Sequence, residues 1–272
     1  MEFGAWFGDV PRHFAGDGDL VMSHVFSVLS SVFPDGEAYF VRSVEAVRDR
    51  ITEPRLRREV EGFIGQETMH GRGHAVFNDR LARLGYPVRP IGAYIRALTR
   101  LRERFLGEKG NLAVTAALEH YTATLAETLL ADPEARAAIG HDRARLLLLW
   151  HALEEAEHKA VAFDVYRHVG GTERMRIITM WVIHLQFVLE TSIWTVISLG
   201  LDPAARRHPT RVLRSLWRLR RSPFISLRAV RQLFRYHRRG FHPCDCDSSE
   251  LISAWRAKLF GSEGALTDML AG

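Results

Sequence analysis

Apolar residues recur every three or four positions along most of the chain, and strict alternation is almost absent, so the pattern predicts helices and not strands. The periodic segments are rich in Ala, Leu, Arg and Glu, all good helix formers. A first helix is expected over roughly 18–50, bent or restarted at "FPDGE", where Pro34 removes a backbone donor beside Gly36. Thr52 and Pro54 open a second helix that runs to Gly85, before "YPVRP" breaks it. A shorter helix follows over 90–107 and a long one over 110–131. Pro133 in "ADPEA" marks the next start, and a helix over 141–169 ends at Gly170 and Gly171. Near the end, "DSSE" reads as an N-cap with its Glu at the third helical position, opening a last helix to about residue 260.

Two segments break the amphipathic rule. Residues 173–200, "ERMRIITMWVIHLQFVLETSIWTVISLG", are long enough to span a bilayer, but His184, Gln186 and Glu190 in the middle are costly in lipid. A buried or interface helix is the first expectation there, and membrane contact the second. Residues 206–240 then combine arginines with apolar positions at helical spacing: Leu213, Leu216 and Trp217, then Leu227, Val230 and Phe234. The expected fold class is all-α, a four-helix bundle with additional C-terminal helices. Its division is a helical bundle over 1–203 and a basic extension over 204–272 packed on it.

Composition sharpens this picture. A chain of 272 residues, 47% apolar, can bury a sizeable core. Its opening, "MEFGAWFGDVPRHF", has an acid at position 2 and no apolar run of the secretory kind. Cys244 and Cys246, the two cysteines, are too close to staple a fold, so a reducing, cytoplasmic setting is expected, either free or membrane-peripheral. The net charge of +5 conceals an asymmetry: residues 204–243 hold twelve arginines and no Asp or Glu, leaving the rest acidic. That tail suits a solvated helix pair covering the bundle, or a surface for an acidic partner such as a carrier protein, a phosphate-bearing substrate or anionic lipid. Nucleic acid is not expected, because no reader motif accompanies the charge. Phosphate-binding loops and Gly-x-Ser-x-Gly elbows are absent from the sequence.

The chemistry is concentrated in "WHALEEAEH", residues 150–158. On a helix His151, Glu155 and His158 share an arc of about 60°, whereas Glu154 and Glu157 fall outside it and are expected in solvent. "GQETMHGRGH" repeats the spacing, with Glu67 and His70 matching Glu155 and His158. A helical site for two metals takes Glu-x-x-His from each of two helices and one more Glu from each of the other two. Glu37, in "FPDGEAYF", and Glu119, in "TAALEHYTA", supply these in the right order, in segments otherwise poor in acids. A cation makes such buried carboxylates tolerable. His74 lies one turn beyond His70 and is a candidate to support the site from behind, whereas His120 points about 100° away from Glu119.

The set Glu37, Glu67-x-x-His70, Glu119, Glu155-x-x-His158 resembles the ferritin-like di-iron carboxylate superfamily. More narrowly, "FPDGEAYF", "QETMHGRGH", "WHALEEAEHKAVAFDVY" and "GFHPCD" resemble a bacterial family known as predicted metal-dependent hydrolases, over roughly 20–260. With His151 as a seventh ligand, the pattern is similar to di-iron enzymes of the p-aminobenzoate N-oxygenase type. The likeness to that type stops at the ligands, so its amine substrate does not follow.

Four carboxylates and three imidazoles, without a thiolate, suit iron or manganese, as two Fe ions, two Mn ions or a mixed pair. The leading expectation is therefore a non-haem di-iron oxygenase. Glu37, Glu67, Glu119 and Glu155 would serve its catalysis, with O2 as co-substrate, an electron donor and a small organic substrate, carrier-bound or an amine. The alternative is a metal-dependent hydrolase using the same ligands. A metal-storage or metal-sensing protein is the non-catalytic reading.

Overall fold

A computed structural model describes residues 6–267. The fold is all-α; among the described residues the sole strand-type pairing is an isolated bridge between Ala15 and Ile139. Four helices form the frame: α1 (Leu20–Glu45), α2 (Pro54–Arg83), and, after α3 (Val88–Phe105), α4 (Gly107–Ala131). The short α5 (Pro133–Ala137) turns the chain into α6 (Asp142–His158), which completes the four. Helices α1 and α2 pair along their length, α4 pairs with α6, and both pairs meet. Asp19 caps α1 by accepting from the Met22 amide at 3.0 Å.

Helix α1 runs unbroken through Pro34, so the chain does not restart there. Proline at this position leaves the carbonyl of Ser30 without its helical donor. The side chain of Asn78, on α2, donates to that carbonyl at 2.9 Å, so the neighbouring helix supplies the bond that α1 lacks. A second difference lies after α6. Instead of one helix over 141–169, the chain breaks directly after His158 and resumes as α7 (Val161–His168). Lys159 at the break bonds Glu127 on α4, the carbonyl of Cys246 and the hydroxyl of Ser248, each at 2.8 Å. Neither Pro nor Gly marks that break in the sequence.

Two apolar clusters occupy opposite ends of the frame. One gathers Met22, Phe26, Phe77, Leu81, Leu130, Leu147 and Trp150; the other gathers Tyr39, Val44, Val60, Phe63, Leu112, Phe163 and Met180. Along each of the four helices the candidate metal ligands fall between these clusters. Burial of each large side chain contributes roughly 1.5–3 kcal/mol, so both ends clamp a polar middle.

The C-terminal part consists of α8 (Glu173–Leu201), α9 (Pro203–Arg207), α10 (Pro209–Leu219), α11 (Leu227–Arg235) and α12 (Ser249–Phe260). Helix α8 packs on α1 and α4, α10 on α1, α11 on α4, and α12 on α6. Its buried side carries Arg176, Met180, Ile183, Thr195 and Ser198. By length and composition α8 could cross a membrane. Arg176 is fully buried, donates to the carbonyls of Tyr236 and Arg238, and lies over the Tyr236 ring at 4.7 Å. The apolar stripes of the arginine segment do not cover the bundle as expected. Leu213, Leu216, Trp217, Leu227, Val230 and Phe234 are exposed, while Ser215 and Ala229 face inward. The final helix starts one residue later than expected, with Ser248 at the cap position and no cap bond from its side chain, while Asp247 still accepts from the Ser249 amide at 2.9 Å.

Candidate metal centre

The four helices bring Glu37, Glu67, His70, Glu119, His151, Glu155 and His158 to one place, all buried. Single-helix spacing aligns each motif, and the opposed helices face the motifs toward one another. The donor atoms form two groups, each within 4.8 Å: Glu37, His70, His151 and Glu155, and Glu67, Glu119 and His158. The groups adjoin. Nδ1 of His70 is 3.7 Å from both Glu67 and Glu155, and Nε2 of His158 lies 2.9 Å from Glu67, 3.5 Å from Glu119 and 3.8 Å from Glu155. Aromatic rings pack against the imidazoles, with ring centres 4.5 Å apart for Phe33 and His151, 5.0 Å for Phe63 and His158, and 5.1 Å for Trp150 and His70.

A pair of cations fits this place. Both carboxylate oxygens of Glu37, Glu67 and Glu119 are buried with no hydrogen-bond partner, as are Nδ1 of His70 and Nε2 of His158. Each unsatisfied buried group costs about 1–3 kcal/mol, and more when charged. Without a cation the carboxylates suppress one another's ionisation. Burial, and then the neighbouring carboxylates, push Glu37 and Glu119 well above the usual range. Glu155 goes the other way: burial would raise it, but the imidazoles of His151 and His158 beside it hold it well below. Burial and the adjacent His151 bring His70 down to about 3.

Behind the donors lies a set of supports. Nε2 of His74 is 2.7 Å from Nδ1 of His151, and Nδ1 of His74 is 2.9 Å from the hydroxyl of Ser30, which donates to Asn78 at 2.8 Å. One proton arrangement satisfies the whole chain: His151 donates from Nδ1 to His74, and His74 donates to Ser30. The Nε2 lone pair of His151 is then free toward Glu37 and Glu155, at 3.6 and 2.9 Å. Burial, with His151 and His70 next to it, keeps His74 well below the usual histidine range, as an acceptor at Nε2 requires.

Glu154 and Glu157, expected in solvent, are instead partly buried beside the site. Glu154 approaches Nε2 of His70 at 3.0 Å and accepts from Trp150 at 2.8 Å. Glu157 accepts from Gln66 at 3.3 Å and Arg256 at 2.7 Å, while Gln66 meets Nδ1 of His158 at 3.1 Å. Glu154 carries a local signal, its spacing of four from Trp150; Gln66, Ser30 and Asn78 carry none. His120 points away, to the carbonyl of Gln232 at 3.1 Å. Tyr39 and Tyr121 bond Asn111 and His184. Cys244 and Cys246 are free thiols outside both donor groups.

No curated protein and no solved structure matches the chain. Residues 1–247 match the family model described as "Predicted metal-dependent hydrolase", and with nearly the whole sequence covered the chain belongs to that family.

Proposed function

We infer that the protein is a two-metal enzyme and that its reaction is metal-dependent hydrolysis of a small organic substrate. One observation carries the metal reading: the carboxylates of Glu37, Glu67 and Glu119 are buried together with no partner for any oxygen. Glu37, His70, His151 and Glu155 would hold one ion and Glu67, Glu119 and His158 the other. Two divalent cations supply Lewis acidity and a nucleophile at neutral pH. The protein's own part is to fix the donors. His74 and Gln66 orient His151 and His158, and Glu154 holds His70 from behind. The rings of Phe33, Phe63 and Trp150 keep bulk water from the donors. The family description supports hydrolysis as the reaction class.

A second reading is an O2-dependent oxidoreductase on a ferritin-like di-iron centre, drawing on an electron donor. Its specific support is the donor set, which is rich in carboxylate and imidazole and lacks thiolate, and so suits iron or manganese. The deciding experiment is metal analysis of the purified protein, followed by turnover of ester, amide and phosphoester panels in air and under argon. Two ions per chain and activity that persists under argon are expected. Activity that needs O2 and a reductant would replace hydrolysis with the second reading. Failure to bind any divalent metal would overturn both.

A further inference from the structure

Helix α8 leaves one whole side uncovered. Ile178, Val182, Leu185, Leu189, Ile193 and Val196 recur at intervals of three and four, and are between 48% and 67% exposed. Only 22% of the helix's most apolar window is buried, with a mean hydropathy of 1.5. An uninterrupted apolar stripe of this length is an interaction surface and not ordinary solvated helix.

The stripe continues into the basic helices. Trp181 of α8 lies 5.6 Å from Phe234 of α11, and His184 stacks on the same Phe234 ring at 4.9 Å. On α11 the exposed positions Leu227, Val230 and Phe234 are each followed by an arginine: Arg228, Arg231 and Arg235. On α10, Leu213 and Trp217 are followed by Arg214 and Arg218, and Arg220 lies over the Trp217 ring at 3.8 Å. Residues 204–243 contain no acid. Of their arginines Arg218 is the one with a carboxylate within 4 Å among the described residues.

Charge decides the occupant. A second copy on a two-fold axis would bring this arginine-rich surface toward its own image, like charge against like. A transmembrane placement fails because the inner side of α8 packs on α1 and α4 and buries Arg176. An anionic bilayer surface satisfies both halves, taking apolar side chains at its acyl boundary and arginines at its phosphates, with Trp181 and Trp217 at the level suited to indole. We propose that the protein docks peripherally on anionic membranes, laying the outer side of α8 and the arginine-flanked stripe of α11 into the bilayer interface. The exposed stripe of α10 extends the same surface chemistry.

The test is co-sedimentation of the full chain with two kinds of vesicle. One is phosphatidylcholine alone; the other is about three parts phosphatidylcholine to one part phosphatidylglycerol, with affinity for the anionic vesicles expected to be higher by about tenfold or more. Added salt should weaken that binding. Leu185→Glu with Leu189→Glu, at exposed positions, should abolish binding while the helical circular dichroism and melting temperature stay unchanged. Arg228→Glu with Arg231→Glu should erase the preference for anionic vesicles. Equal binding to both vesicles, or none to either, would overturn the proposal. So would a stable dimer in sedimentation velocity that Leu185→Glu dissociates, since a second copy would then own the face.

Discussion

Nε2 of His74 stands 2.7 Å from Nδ1 of His151, with both rings buried between α2 and α6. This pair selects the tautomer of His151 that leaves Nε2 open toward Glu37 and Glu155. Replacing His74 with alanine removes the acceptor and lets the His151 ring turn. Metal affinity of the group containing His151 should fall by about 10–100-fold, with the helical content retained. Competition titration with a chromogenic chelator reads this directly, and an unchanged affinity would deny the pair its orienting role.

The bond from Asn78 to the Ser30 carbonyl yields a prediction about α1 itself. Asn78→Leu strips the donor that offsets Pro34 and also leaves the Ser30 hydroxyl without its acceptor. The loss should be about 1–3 kcal/mol in urea denaturation. In a Pro34→Ala background the restored backbone N–H serves Ser30, so the same Asn78→Leu change should cost less. Equal costs in both backgrounds would mean that Asn78 does not compensate for the proline.

These two relationships mark the limit of what sequence pattern reveals. Glu67 and His70, or Glu155 and His158, share one helix, so their spacing alone places them on one side. Glu37 and Glu119 stand out because acids are scarce around them. Ser30 and Asn78 lie 48 positions apart, and only the packing of α1 on α2 makes them partners. The continuity of α1 escapes the pattern for the same reason: the compensating donor comes from another helix. The stripes at Leu213 and Leu227 show a different limit. Periodicity tells which residues share a face, and not whether that face meets the protein's own core.

Glu154 offers a sharper test of how the donors are held. Its carboxylate is 3.0 Å from Nε2 of His70 and tethered by Trp150. Glu154→Gln removes the negative charge and leaves the shape nearly intact. The expected result is about 10-fold or greater loss of affinity at the group containing His70, without loss of stability in the metal-free protein. Affinity equal to the unaltered protein would show that His70 needs no anionic support.

Metal binding should depend on pH in a direction fixed by Glu37 and Glu119. Both carboxyls hold their protons to unusually high pH, because of burial and then the adjacent carboxylates. Cations must displace those protons, so affinity should rise from about pH 5 to about pH 8, with proton release on binding. The metal-free protein should behave oppositely. The contribution of these two carboxyls to its stability is greatest below the ordinary carboxyl value and falls as pH rises through the raised folded-state value, because their ionisation is resisted in the folded chain. Glu37→Gln should flatten that fall. Calorimetry in buffers of different ionisation heat counts the protons, and a count of zero would contradict the assignment.

Asp202, far from the metal centre, gives the opposite pH signature. Burial would raise its carboxyl, but hydrogen bonds from His13, the Ala204 amide and His24, with Arg12 nearby, hold it down at about 2. A depressed folded value means that the stabilisation is present above the ordinary value of 3.8 and is lost as pH falls through about 2. The displacement corresponds to about 2 kcal/mol at neutral pH. Asp202→Asn keeps an acceptor for the Ala204 amide but loses the charge, so it should destabilise by about that amount from pH 7 to about pH 5. Below about pH 4 the gap to the unaltered protein should narrow as Asp202 takes up a proton in the unfolded chain, and it closes once the folded carboxyl is protonated near 2. Urea denaturation of both proteins across that range measures the gap. A difference that stays constant down to about pH 3 would show that the network around Asp202 works through shape and not through charge.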